Sequence, residues 1–242
     1  MKRSFRHLLF TTVALSILCG SAMAQSANRA EVLTAIENKR SELQALEKQF
    51  LAPAEEDRTV YADFLRQPDT GLIRLLPRET YSKGTALTIT GGGAYYSFTR
   101  LTHEYGFGSD IELSGGHLSV GFAGADYGML TTLGDVTLEE FTIDNARAAV
   151  VAAYKVPTEM IQARAEHQRF AKGANIDGAL YNSRVPAQVN TSYLLRSINF
   201  DQGDVLVAFR VVRQDSDGSV TILWKLLKKY PKPELARARS EQ

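Results

Sequence analysis

The densest concentration of groups able to do chemistry lies between residues 91 and 110, where Tyr95, Tyr96, Phe98, Arg100, His103, Glu104, Tyr105, Phe107 and Asp110 stand among five glycines. Aromatic rings beside charged groups, on a backbone that glycine allows to approach closely, suit recognition of a sugar or a peptide. Tyr95, Tyr96, Arg100, His103, Glu104, Tyr105 and Asp110 are therefore the candidate binding residues. The plainer reading, a Gly-rich hairpin whose aromatics cover glycines and fill the core, carries more weight on the sequence alone. A hydrolase would have to assemble its site from distant positions, with His103, Glu104 and Asp110 as the first candidates.

Other motifs fall short of their chemistry. Asp69-Thr70-Gly71 spells the triplet of aspartic proteases, which belongs after an apolar strand; here Gln67-Pro68 precede it, so a loop after a helix is the expectation. Asp215-Ser216-Asp217-Gly218 begins like a calcium loop, but the position of the closing Glu is occupied by Leu226, so a hairpin turn is expected. His103, His117 and His167 are widely spaced, with no His-x-x-x-His or Glu-x-x-His pair to place two ligands on one helix face. No Gly-x-Ser-x-Gly elbow and no phosphate-binding glycine loop is present. No cofactor and no metal site is expected.

The elements that must position these residues come in two styles. Val32, Ile36, Leu43, Leu46 and Phe50 recur at helical spacing over residues 28–51, and Asn28 with Glu31 has the spacing of a capping box. Docking of that stripe on the protein's own body is the first expectation, and self-association through residues 28–51 the second. Pro53 opens a second helix that Pro68 stops, so residues 25–68 read as a helical hairpin. After Pro77 alternation takes over. It predicts strands at 86–90 and 94–101, a hairpin over 110–122 about Gly115-Gly116, and a strand at 127–133. Helices are expected over 137–154 and from Pro157 to Lys172, then strands at 192–200, 204–213 and 219–228. The run Val205 to Phe209 is apolar without a break, as in a strand covered on both faces. Val220, Ile222 and Trp224 alternate with Thr221 and Lys225, as in a strand with one more exposed face. The fold expected is α+β: an N-terminal amphipathic helical hairpin, then a mainly antiparallel β-sheet with inserted helices, over residues 69–230. Residues 231–242 read as a flexible basic tail.

Composition and the first residues bound the setting. Lys2, Arg3 and Arg6, an apolar stretch from Leu8 to Leu18 and Ala22-Met23-Ala24 are the three parts of a cleavable export signal over residues 1–24, with cleavage after Ala24. The stretch falls short of the roughly 20 apolar residues of a membrane span. Cys19 would suit a lipoprotein signal, but Leu18 is too bulky for that processing. Removing residues 1–24 takes away the only cysteine and three cations, leaving 25 Lys+Arg against 27 Asp+Glu, a formal charge of −2 instead of +1. No disulfide can then form, and neither nucleic acid nor any other strongly charged partner is implied globally. The last 18 residues carry a local excess of four positive charges, read as a solvated end before an envelope contact. An outer-membrane barrel conflicts with the helices. The expectation is a periplasmic or secreted bacterial protein, not membrane-spanning after processing: a non-enzymatic module for an unknown envelope ligand or protein, with a hydrolase, metal-dependent or not, as the alternative.

Overall fold

The computed structural model describes residues 4–82, 87–106 and 108–236, with side chains from Asn28 onward. The side chains of the expected export signal, the start of the strand expected at 86, Phe107, Arg237 and Arg239 lie outside the described residues. The chain divides into two units, Met1–Phe50 and Leu51–Gln242.

The first unit consists of helix α1 (Ser4–Leu51) up to Phe50, and the helix extends across the expected cleavage point. Val32, Leu33, Ile36, Leu43, Leu46 and Phe50 along it are 40–62% exposed. No helix among the described residues is long and apolar enough to cross a membrane. The second helix of the expected hairpin is broken into α2 (Glu55–Val60) and α3 (Ala62–Leu65), with Tyr61 between them.

The second unit continues through β1 (Thr70–Leu75), α4 (Arg78–Tyr81), β2 (Tyr95–Tyr96), β3 (Ile111–Ser114), β4 (His117–Ser119) and β5 (Tyr127–Gly134). It goes on through α5 (Ala146–Ala153), α6 (Met160–Lys172), β6 (Ala174–Ile176), β7 (Ala179–Tyr181) and β8 (Arg184–Pro186), and ends with β9 (Thr191–Asn199), β10 (Gly203–Gln214) and β11 (Val220–Lys229). A central antiparallel sheet has the order β1-β11-β10-β9-β5, and a smaller antiparallel sheet the order β2-β3-β4-β8. This is an α+β fold built mainly on antiparallel sheet.

Alternation along β10 explains the layering. Val205, Val207, Phe209 and Val211 enter a core shared with Tyr96, Phe98, Ile111, Leu113, Leu118 and Val185 of the smaller sheet and its flanks. Leu206 and Ala208, on the other face, join a second core with Phe64, Ala148, Val151, Ala163 and Phe170 from α3, α5 and α6. The unbroken apolar run is thus a strand buried on both faces, and each large side chain so buried contributes about 1.5–3 kcal/mol. The same geometry corrects the reading of β11: Thr221 and Leu223, on its supposedly open face, are each 2% exposed because the helical layer extends over them. Only from Lys225 onward does that strand open to solvent.

A buried ion pair fastens the helical layer to the sheet. Arg196 of β9 grips Asp204 of β10 with both ends of its guanidinium, Nε to Oδ1 at 3.0 Å and Nη2 to Oδ2 at 2.8 Å. Its Nη1 donates to the carbonyls of Val151 and Tyr154 at the end of α5, 2.8 Å each. Carbonyls at a helix C-terminus are so held by a cation, which the helix dipole also favours.

Several expected elements are corrected. Residues 87–90 are bends and turn, not strand, and the strand expected over 94–101 shrinks to β2 with one bridge, Ser97 to Thr102. Gly91, Gly92 and Gly93 all take positive φ, as does Leu101, so extended pairing cannot continue through either point. The segment after Pro68 is a turn at Asp69 followed directly by β1, which pairs with β11; Ile73 and Leu75 enter the core between the sheets and Leu72, on the other face, packs on the helical core. The helix expected over 137–154 is confined to α5, because Leu138 and Phe141 are buried from a non-helical segment and Asn145 caps the helix by accepting from the Arg147 amide. The helix expected from Pro157 begins at Met160. In residues 231–236 the Asp201 amide donates to the Pro233 carbonyl, the Ala236 amide donates to the Thr158 carbonyl, and Leu235 packs on the helical core; the rest of the expected tail lies outside the described residues. By contrast the 110–122 hairpin forms about its expected turn. Ser114 pairs with His117, and Gly115 and Gly116 both take positive φ, as a two-residue type I′ loop requires.

Candidate functional site

Alternation in the smaller sheet separates the 91–110 residues into two groups. Tyr96 faces the core between the sheets, where its ring meets Phe98 at 5.3 Å and His103 at 4.9 Å. Tyr95, one residue earlier, points to the other face, opposite Glu112 of β3. The Tyr95 hydroxyl donates to Glu112 Oε1 at 2.6 Å, and Arg78 Nη1, from α4, donates to the same oxygen at 3.0 Å. Burial, reinforced by the bond to Glu112, raises the Tyr95 pKa, so its hydroxyl keeps its proton and remains a donor. Beside it the Tyr105 ring lies 4.8 Å away and the Phe122 ring 5.3 Å away, edge to face.

These residues line a cleft of about 540 Å³ with Ser82 and Gly91. The volume falls within the range of small-molecule sites, about 300–1,000 Å³. Gly91 is needed there: at φ +84, a Cβ would lie 2.4 Å from the Tyr95 ring. Phe122 and Tyr105 also border a smaller recess of about 30 Å³ that reaches Ser109, Asp126 and Asn199. Its size corresponds to a water molecule or two. Glu112 is almost buried, with 8% of its side chain exposed, whereas Arg78 is about half exposed. The cleft therefore presents one paired anion and cation on its wall and three aromatic rings beside them.

The remaining candidates are engaged elsewhere. His103 Nε2 donates to the Arg74 carbonyl at 2.8 Å, and burial holds its pKa down, only partly offset by that bond. Asp110 is 1% exposed and accepts from the Phe98 amide at 2.8 Å and Asn199 Nδ2 at 3.0 Å, with Ser97 at 3.4 Å. Burial pushes it up to about 7 against these donors. Its bonds tie the turn after β2 to the end of β9. Arg100 donates to Gln202 on the exposed surface, and the Glu104 carbonyl takes the Ser109 hydroxyl. Of the seven candidates, then, Tyr95 and Tyr105 line the cleft; Tyr96, Arg100, His103, Glu104 and Asp110 do not.

Asp215 and Asp217 are likewise committed within a hairpin turn, to Arg74 at 2.9 and 3.4 Å, and Asp217 also accepts from Tyr81 Oη at 2.9 Å. Among the described residues no group of three or more His, Cys, Asp or Glu is placed to hold a metal ion.

Arg78, Ser82, Glu112 and Phe122 were missed from sequence. Glu112 alone had a local signal: it is a charge between inward-facing Ile111 and Leu113, on the outer face of the best-defined hairpin. Arg78 is 34 residues from it in the chain and had none. Comparison with protein-family models, with curated proteins and with solved structures finds no match for this chain.

Proposed function

We propose that the chain is an exported envelope protein that binds a ligand without chemically transforming it, through the cleft between α4 and the 105–122 segment. The observation that carries this reading is the grouping of Tyr95, Tyr105 and Phe122 around the Arg78–Glu112 pair in a cavity of ligand size. Rings that keep one face accessible beside oriented donors and acceptors are the usual makings of a recognition site. A single carboxylate, Glu112, lines the cleft among the described residues, whereas general acid and base hydrolysis commonly needs two placed groups. Of the three hydrolase candidates, His103 and Asp110 are each held by other partners, and Glu104 does not line the cleft.

Export rests on the residue pattern of positions 1–24. Cell fractionation and N-terminal sequencing in a bacterial host are expected to give a periplasmic product beginning at Gln25; a cytoplasmic product beginning at Met1 would remove the export half of the proposal. For the binding half, a small-molecule cocktail is screened by amide NMR. Hits are expected to shift Tyr105 and Phe122 and to lose those shifts in Tyr105→Ala. Hits scattered away from the cleft, or turnover of any probe, would overturn it.

A further inference from the structure

We infer that the occupant of the cleft is a neutral saccharide, a proposal that rests on the binding reading above and names its ligand class. The wall carries one cation and one anion that already neutralise each other, with Arg78 Nη1 3.0 Å from Glu112 Oε1. A ligand of net charge would find no unpaired opposite charge on the described lining, and a zwitterion would have to pull the pair apart. Splitting a pair whose acid is 8% exposed leaves a nearly buried carboxylate without its cation, which is costly. A hydroxyl group avoids both penalties, because it can donate to a carboxylate and accept from a guanidinium N–H while the pair stays closed.

The rings supply the other half of the recognition. A pyranose presents polar edges and an apolar C–H face, so its ideal site combines planar charged groups at the edge with an aromatic ring against the face. Tyr105 is 37% exposed, and its ring is braced by Tyr95 at 4.8 Å. Tyr95 is in turn held by its bond to Glu112 at 2.6 Å, so the stacking surface and the hydroxyl-binding acid are one rigid assembly. Rigidity before binding lowers the entropy lost on association. The same contact excludes the main aromatic alternative. Tyr95 packs directly on both Tyr105 and Phe122, so neither ring pair has room for an ammonium group between its members.

The test titrates the full chain with cellotriose, maltotriose and tri-N-acetylchitotriose as neutral probes. Trigalacturonate, choline and the dipeptide Ala-Ala serve as anionic, cationic and zwitterionic probes. Amide NMR locates binding and calorimetry gives Kd. At least one neutral trisaccharide is expected to shift Tyr105, Phe122 and Glu112, with Tyr105→Ala weakening it about tenfold or more. Tyr105 is a surface side chain, so that variant keeps its fold; Glu112→Gln, which retains shape and loses charge, is expected to weaken the same probe. Binding of only the charged or zwitterionic probes in the cleft would overturn the neutral-saccharide inference and leave the binding reading intact. Silence from all six at about 10 mM, well above ordinary lectin-like affinities, would also overturn it, while the cocktail screen decides the broader reading. Cleavage of a trisaccharide would keep the ligand class and overturn the non-enzymatic assignment.

Discussion

Replacing Arg196 with Met tests how the helical layer is held to the central sheet. The substitution keeps much of the side chain's volume and removes its charge and its donors. Asp204, with 3% of its side chain exposed, would lose two hydrogen bonds of 2.8 and 3.0 Å and its only close cation in the described network. Leaving one partner of a buried pair alone costs about 3–5 kcal/mol. The carbonyls of Val151 and Tyr154 lose a donor as well, at about 1 kcal/mol or more each where water cannot replace it. The guanidinium also lies 4.0 Å from the centre of the Tyr230 ring, a contact the thioether replaces only in part. The expected loss is about 5 kcal/mol, a third or more of a typical domain's stability. With a urea dependence of about 3 kcal/mol per molar, the unfolding midpoint should fall by about 1.5–2 M, read by circular dichroism. The double variant Arg196→Met, Asp204→Leu should recover a substantial part, because no charge then remains buried. A midpoint shift below about 0.3 M in the single variant would refute the desolvation argument. A double variant no more stable than the single one would show that the lost carbonyl bonds, not the orphaned carboxylate, dominate.

Three further outcomes follow from individual sites. Asp110 has a folded pKa of about 7, above its unfolded value, so its contribution to stability is complete below the unfolded pKa and is lost as pH rises through about 7. The stability difference between wild type and Asp110→Asn should therefore fall by about 1.4 kcal/mol per pH unit between about pH 4 and 7 and level off above; a flat difference would contradict the assignment. Gly91→Ala forces a Cβ toward the Tyr95 ring at positive φ, so it should cost about 1–2 kcal/mol and change the near-ultraviolet tyrosine signal; an unaltered spectrum would mean the ring pair does not depend on that glycine. The exposed stripe Val32, Ile36, Leu43, Leu46 and Phe50 predicts a concentration-dependent mass in light scattering that Leu43→Glu abolishes, and a constant monomer mass would remove self-association through α1.

The late strands were readable because each satisfies its own local pattern: Val205 to Phe209 needs no distant information to be recognised as doubly buried, and Asp215 to Gly218 is turn chemistry. The early strands were less so. β1 has only six residues after a left-handed Asp69, and its identity depends on β11, far along the chain. Residues 137–145 carry apolar side chains that tertiary packing buries without a helix. In the cleft, the aromatic density at 91–110 was visible, but composition cannot say which of two adjacent tyrosines faces outward. That is fixed by the pairing of Tyr95 with Glu112 and Tyr96 with Ile111, and the choice of Arg78 is made by the placement of α4.

The pairing of β1 with β11 also constrains the order of events in folding. Leu75 meets Val220 and Thr70 meets Lys225, partners 145 to 155 residues apart. A chain delivered from its N-terminal end, by a ribosome or through a membrane pore, cannot finish the central sheet until nearly its last strand has emerged. Until then β1 has no neighbour, and the two faces of β11, one for each core, are missing. Contacts of such long separation slow folding, since loop-closure entropy is lost before the contacts compensate. On the proposed export, late closure would keep the chain threadable during passage and concentrate its aggregation hazard in the interval before β11 arrives.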